Sequence, residues 1–196
     1  MTAPGVRTWL VQSLKEGAIL PSPEQTGLHP QVMSPSPKNT QSAAARRTAE
    51  AGLRKLILTF APAHQRLVGA MRRWLRRRLP TAHELVYEYR DCFVLSFSPN
   101  EHGYEGVFAL RGDAKGVRLY LNHGKGLPDP EKLLRGSGKL ARWIHLEDAA
   151  TVARPAVARL IDEALARNRV PFARTGRGPM VIRSTSARQL RRRPAS

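Results

Sequence analysis

The chain has 196 residues, an apolar fraction of 41% and a single cysteine, Cys92. That length and composition predict one domain able to bury a core. They exclude a wholly disordered chain, an intramolecular disulfide and a cysteine-cluster metal site. The formal net charge is +18, from 33 Lys/Arg against 15 Asp/Glu, which attracts any polyanion without by itself defining a site.

Residues 1–45 are rich in proline and polar residues and show no periodicity, so they read as a disordered segment, with Met33 inside it as an alternative start. Trp9-Leu10-Val11 is the start of an apolar run, but Lys15 and Glu16 interrupt it before it reaches the length of a signal-peptide core. No apolar run approaches the roughly 20 residues that span a bilayer, so no membrane insertion is expected. With one cysteine and no address signal, the expected location is the cytoplasm.

The spacing predicts a folded domain over residues 46–170. Leu53, Leu56, Ile57 and Phe60 make one apolar stripe at i, i+3, i+4 and i+7, which predicts a helix starting near Arg46. Pro62 suits the first turn of a second helix, whose stripe is Leu67, Met71, Leu75 and Leu79 and which ends at Pro80. Opposite that stripe lie Arg66, Arg73 and Arg77, flanked by Arg72, Arg76 and Arg78. This is either a solvated helix face or a phosphate-backbone surface.

After Pro80 the period changes to 2. Strands are predicted at 84–87, 92–97, 106–110, 117–122 and 143–146, joined by short turns. In the fourth, Val117, Leu119 and Leu121 share one face and Arg118, Tyr120 and Asn122 the other. Arg111-Gly112-Asp113, with Gly116, reads as a turn. A closing helix opens at Pro155 with the stripe Val157, Leu160, Ile161, Ala164 and Leu165. The expected fold class is α+β: an antiparallel sheet of about five strands, with two N-terminal helices and one C-terminal helix packed on one face. Residues 171–196 read as a basic, largely flexible tail with an apolar patch at 180–182. The last 28 residues carry eight arginines and no acid.

The loop between the last two strands concentrates the binding chemistry. Gly136-Ser137-Gly138-Lys139 is not a nucleotide phosphate loop, because Leu133 and Leu140 stand where that motif needs glycine and Ser/Thr. Its glycines can still present backbone amides as an anion nest. With Lys125, Lys139 and Arg142 around them, Gly136 and Gly138 form a candidate site for a carboxylate- or phosphate-bearing ligand. The alternative is that these glycines supply turn geometry and the cations face water. Glu84, Glu88 and Asp91 fall within eight residues and are the candidate ligands for a cation. The six histidines form no close pair of the kind zinc sites show. Cys92, inside CFVLSF, reads as a packing residue. No acid/base pair or nucleophile set assembles from the sequence.

Glu84-Leu85-Val86-Tyr87, Val94-Leu95-Ser96-Phe97, Leu127-Pro128-Asp129-Pro130, the segment from Leu133 to Lys139, and Arg142-Trp143-Ile144 resemble, in that order, the bacterial YdhG-like family of uncharacterised domains. The resemblance covers about residues 53–165, and Gly176-Arg177-Gly178 with residues 181–187 is similar to a basic tail in one branch. It implies a compact α+β domain without an assigned activity. Part of the family carries a frataxin-like iron-chaperone label, which would make iron the ligand of the acidic set. The chain departs from the family at Arg90-Asp91, where a Tyr-Asn pair is usual, and at Arg111-Gly112, where an aromatic and a proline are usual. A net-positive domain also lacks the acidic ridge that iron delivery relies on.

Three functional expectations follow. The first is a non-enzymatic binding or accessory module, without a cofactor, engaging an anionic small molecule or partner through residues 124–142. The second is an iron-handling chaperone using Glu84, Glu88 and Asp91. The third is association with nucleic acid through Arg73, Arg76 and Arg77 on the helix and Arg191, Arg192 and Arg193 in the tail.

Overall fold

A computed structural model describes residues 41–184. The expected disorder of residues 1–40, and the candidate contacts Arg191, Arg192 and Arg193, lie outside the described residues. The first helix, α1, runs over Ala43–Ile57, starting earlier than the apolar stripe suggests. The reason is local: the Ser42 hydroxyl accepts a hydrogen bond from the Ala45 amide at 3.1 Å and caps the first turn. Residues 41–45 therefore belong to the domain. Helix α2, Pro62–Arg78, has proline at its first position and stops where the Leu79 amide closes on the Leu75 carbonyl just before Pro80. The closing helix, α3, spans Pro155–Ala166.

Six strands form one sheet: β1 His83–Glu88, β2 Cys92–Ser98, β3 Phe108–Asp113, β4 Gly116–Leu121, β5 Arg142–Leu146 and β6 Met180–Ser184, in the order β5-β4-β3-β2-β1-β6. The first five make the expected antiparallel meander. The sixth is parallel to β1, so the sheet is mixed. It comes from the apolar patch at 180–182, in the segment assigned to the tail. Glycine makes the approach feasible: a Cβ at Gly178 would lie 1.8 Å from the Ala82 carbonyl oxygen. The Gly178 amide donates to the Pro80 carbonyl, and the Glu84 amide to the Pro179 carbonyl. The Gln41 side chain then pairs with both backbone groups of Met180, accepting from its amide at 2.9 Å and donating to its carbonyl at 2.6 Å.

The turn expected at 111–113 is instead the end of β3, and Ala114-Lys115 makes the turn to Gly116, whose φ is 118°. Glycine interrupts this strand because Phe93 packs over it: a Cβ at Gly112 would sit 2.5 Å from the Phe93 ring. The pleat separates two faces. Val86, Phe93, Leu95, Phe97, Phe108, Leu110 and Leu119 pack against all three helices, meeting Leu53, Met71, Leu75, Val157 and Leu160 in the main core. Leu85, Tyr87, Val94, Ala109 and Tyr120 occupy the opposite face, which none of the described helices covers. Among the described residues, no helix is long and apolar enough to cross a membrane.

The close fit at Gly178 predicts an asymmetric response to alanine. Gly178→Ala overpacks a rigid backbone contact and lowers stability in urea unfolding by about 2–3 kcal/mol. Gly176→Ala, at φ 96° with open space around it, costs only the left-handed penalty of about 1–2 kcal/mol. Equal stability of wild type and Gly178→Ala would show that β6 is not held closed.

Candidate functional site

Two polar clusters are built into this frame, one under the helices and one on the uncovered sheet face. Under the helices, Glu84 of β1 is 2% exposed and meets three guanidiniums. Arg72 Nε lies 2.5 Å from Oε2, Arg46 Nη2 lies 3.3 Å from Oε1, and Arg76 Nε lies 3.4 Å from Oε1. Arg72 also grips Glu50 bidentately, at 2.6 and 2.8 Å, and Arg76 reaches Glu50 at 3.4 Å. Arg46 donates further to the Gly178 carbonyl, so the cage joins α1, α2, β1 and the lead-in to β6. The hydrogen bond from Arg72, ahead of an opposing burial cost, holds the Glu50 carboxyl below its ordinary value. Burial works against the charge on Arg72, yet the hydrogen bonds to Glu50 and Glu84 outweigh it and raise its pKa. Arg46 is pulled down, by burial first and then by the neighbouring Arg76.

This arrangement corrects two expectations. Glu84 is enclosed by cations. Along an extended strand the four residues from Glu84 to Glu88 span about 13 Å, and Asp91 sits in the exposed turn beyond. The three do not converge, and among the described residues no group of three or more His, Cys, Asp or Glu side chains could hold a metal. Arg76, named with Arg73 and Arg77 as a candidate nucleic-acid contact, turns inward to the cage, while Arg73 and Arg77 stand exposed.

The loop over residues 122–141 is held by its own polar groups. The Asp129 carboxylate accepts from the Leu133 and Leu134 amides at 2.9 and 2.7 Å, and Lys125 donates its amide to the Leu140 carbonyl at 2.7 Å. Arg142 Nη1 donates to the carbonyls of Gly138 and Ala141, at 2.7 and 2.6 Å, so this arginine braces the loop. Gly136, at φ 101°, lies close under Trp143: a Cβ there would be 3.1 Å from the indole. Gly138 is buried. Lys125 and Lys139 are exposed and make no ion pair among the described residues. The structure thus gathers Arg142, Gly136 and Gly138 into loop scaffolding, with the two lysines left at the surface.

The loop's inner side meets the second cluster, which packs Leu140, Ala141 and Trp143 with Tyr87, Tyr89, Val94 and Tyr120. Arg111 and Arg118 are directly paired across β3 and β4, and both side chains are largely buried, at 16% and 14% exposure. They share one carboxylate: Asp113 Oδ2 lies 3.1 Å from Arg111 Nε and 3.3 Å from Arg118 Nη1. Arg118 also lies over the Trp143 ring at 5.1 Å. Burial lowers the Arg111 pKa, but Cys92, Tyr120 and Asp113 together outweigh it and raise the value. Two hydroxyls on this face, those of Tyr89 and Ser96, are buried with no hydrogen-bond partner among the described residues. Ser96 is 3% exposed, and burial pushes the Tyr89 phenol well above its ordinary range.

The sequence reading placed Arg118, Tyr120 and Asn122 on one strand face but left out Arg111, because Arg-Gly-Asp followed by glycine reads as a turn. Period-2 alternation carried back from Ala109 is the signal that would have found it.

The cage predicts how the fold responds to charge removal and acid. Glu84→Gln leaves three guanidiniums to one carboxylate and lowers stability by about 3–5 kcal/mol in urea unfolding. Because the Glu50 pKa is depressed in the folded state, its contribution is present above its ordinary 4.5 and disappears as pH falls through the folded value. Glu50→Gln therefore flattens the acid limb of the stability curve below that pH, and an unchanged limb would refute the assignment.

No family model matches the chain, and neither does any curated protein or solved structure.

Proposed function

We propose that the chain is a non-enzymatic, YdhG-like binding module acting in the cytoplasm, and that it takes a small anionic ligand on the helix-free face of its sheet. The α+β architecture is the one the family resemblance implies, and the one cysteine suits a reducing compartment. One observation carries the ligand reading. Arg111 and Arg118 sit side by side across two strands, largely buried, against the Asp113 carboxylate, so two guanidinium groups are gathered on this face. Guanidiniums held on a rigid strand ladder are suited to bind a carboxylate or phosphate through charge-assisted hydrogen bonds.

The surroundings narrow the ligand. Tyr87, Tyr120 and Trp143 supply aromatic walls, and the Ser96 and Tyr89 hydroxyls are polar groups without partners among the described residues. A carboxylate or phosphate ester on a planar or apolar body fits this mixture better than a bare inorganic ion. The loop over residues 122–141 contributes the wall beside Trp143, and its lysines stand ready to steer an anion from solvent.

Titration with benzoate and with inorganic phosphate, followed by indole fluorescence, tests the reading. Benzoate is expected to give a saturable change, with phosphate weaker. Arg118→Gln is expected to weaken benzoate at least about tenfold, since a charge-assisted hydrogen bond contributes about 1.5–3 kcal/mol. A response equally strong in Arg118→Gln, or no saturable response to either anion, refutes the site.

A further inference from the structure

We infer that the outer side of the α1–α2 hairpin is a docking surface for the phosphate backbone of double-stranded nucleic acid, recognised without regard to sequence. Six cations are exposed there: Arg47, Arg54 and Lys55 on α1, and Arg66, Arg73 and Arg77 on α2. None of the six makes an ion pair among the described residues. The hairpin's one acid, Glu50, is held inward by Arg72 and Arg76.

The division of labour around α2 separates this surface from the fold. On one flank Arg72 and Arg76 tie the helix to α1 and β1, and on the other Arg78 pairs with Asp162 of α3. Between the flanks, Arg66, Arg73 and Arg77 recur at i, i+7 and i+11, which returns to one helix face and covers about 16 Å of its length. These three hold nothing together inside the molecule, and they repel one another. A line of cations with no ion-pair partner among the described residues matches the charge pattern of a polyanion that is itself linear and rigid.

One further observation favours a duplex. Single strands are gripped by exposed aromatic platforms. The hairpin offers none on this side, because Trp74 is half-buried and lies under Arg78 at 5.6 Å. Residues 185–196 add four arginines and no acid to the charge of the chain.

Anisotropy of a labelled 24-base-pair duplex of mixed sequence, measured with the full chain across 50–300 mM NaCl, tests this. Each phosphate contact steepens the salt dependence by about 0.9 in log–log slope. The combined variant Arg66→Gln, Arg73→Gln, Arg77→Gln is expected to flatten the slope by about three. That makes the affinity lost between 50 and 200 mM salt roughly fortyfold smaller than in wild type. The control variant Lys132→Gln, Arg169→Gln, Arg174→Gln removes equal charge elsewhere and is expected to leave the slope within one of wild type. Circular dichroism and the urea midpoint establish that both variants fold.

Equal flattening by the two variants would assign binding to net charge alone and overturn the surface. So would a wild-type slope in the helix variant. Tighter binding to a 24-nucleotide single strand, or to phosphatidylserine vesicles with none to the duplex, would equally overturn it. Deleting residues 185–196 is expected to weaken binding while leaving the effect of the helix variant intact. Loss of that effect would place recognition in the tail.

Discussion

The structure depends on one buried carboxylate. Glu84 stands where a sheet strand passes beneath two helices, and it is satisfied only because Arg46, Arg72 and Arg76 arrive from three directions. Removing a carboxylate from water costs several kcal/mol, and only close, multiply hydrogen-bonded partners offset that cost. Those partners must come from α1 and α2 in one particular register. The cage is therefore less a source of net stability than a selector: slide either helix by one turn and the carboxylate is left bare. It also explains why the strongly basic α2 does not splay from α1, since Glu50 and Glu84 bind arginines of both helices and neutralise part of their mutual repulsion.

The pleat distributes the chemistry. One face of the sheet is aliphatic and aromatic and is sealed by three helices. The other collects Tyr87, Tyr89, Arg111, Arg118, Tyr120 and Trp143, and no described helix packs on it. Loops can be exchanged or moved without reopening a core, and such a face is where small-molecule chemistry gathers on a rigid frame. The loop over residues 122–141 owes its shape to internal bonds from Asp129 and Arg142 rather than to a ligand, which makes it a preformed wall.

Much of this was legible in the order of residues. The apolar stripes of α1, α2 and α3, the proline punctuation and the antiparallel meander follow from periodicity. The mixed sheet did not, because β6 draws its stability from the free edge of β1 and from the close approach at Gly178, neither of which leaves a mark in its own five residues. The roles of the arginines split the same way. Helical spacing separates the outward Arg66, Arg73 and Arg77 from their flanks, but it does not reveal that Arg72 and Arg76 meet carboxylates from distant elements. Arg142 reads as a ligand group by type and spacing, and only its geometry shows it bonded to Gly138 and Ala141. Glu84 was misread for a related reason: a carboxylate on a strand beside a turn looks exposed until the helices are placed over it.

The Gln41 side chain, bonded to both backbone groups of Met180, stitches the first described turn to the last strand. The N-terminal end of the described body is thereby fixed against the start of β6, and its C-terminal end lies about 13 Å away at the other end of that strand. Joining the two ends by a short linker and cutting instead at the Ala114-Lys115 turn would preserve every strand pairing, making the order of elements along the chain incidental to the architecture.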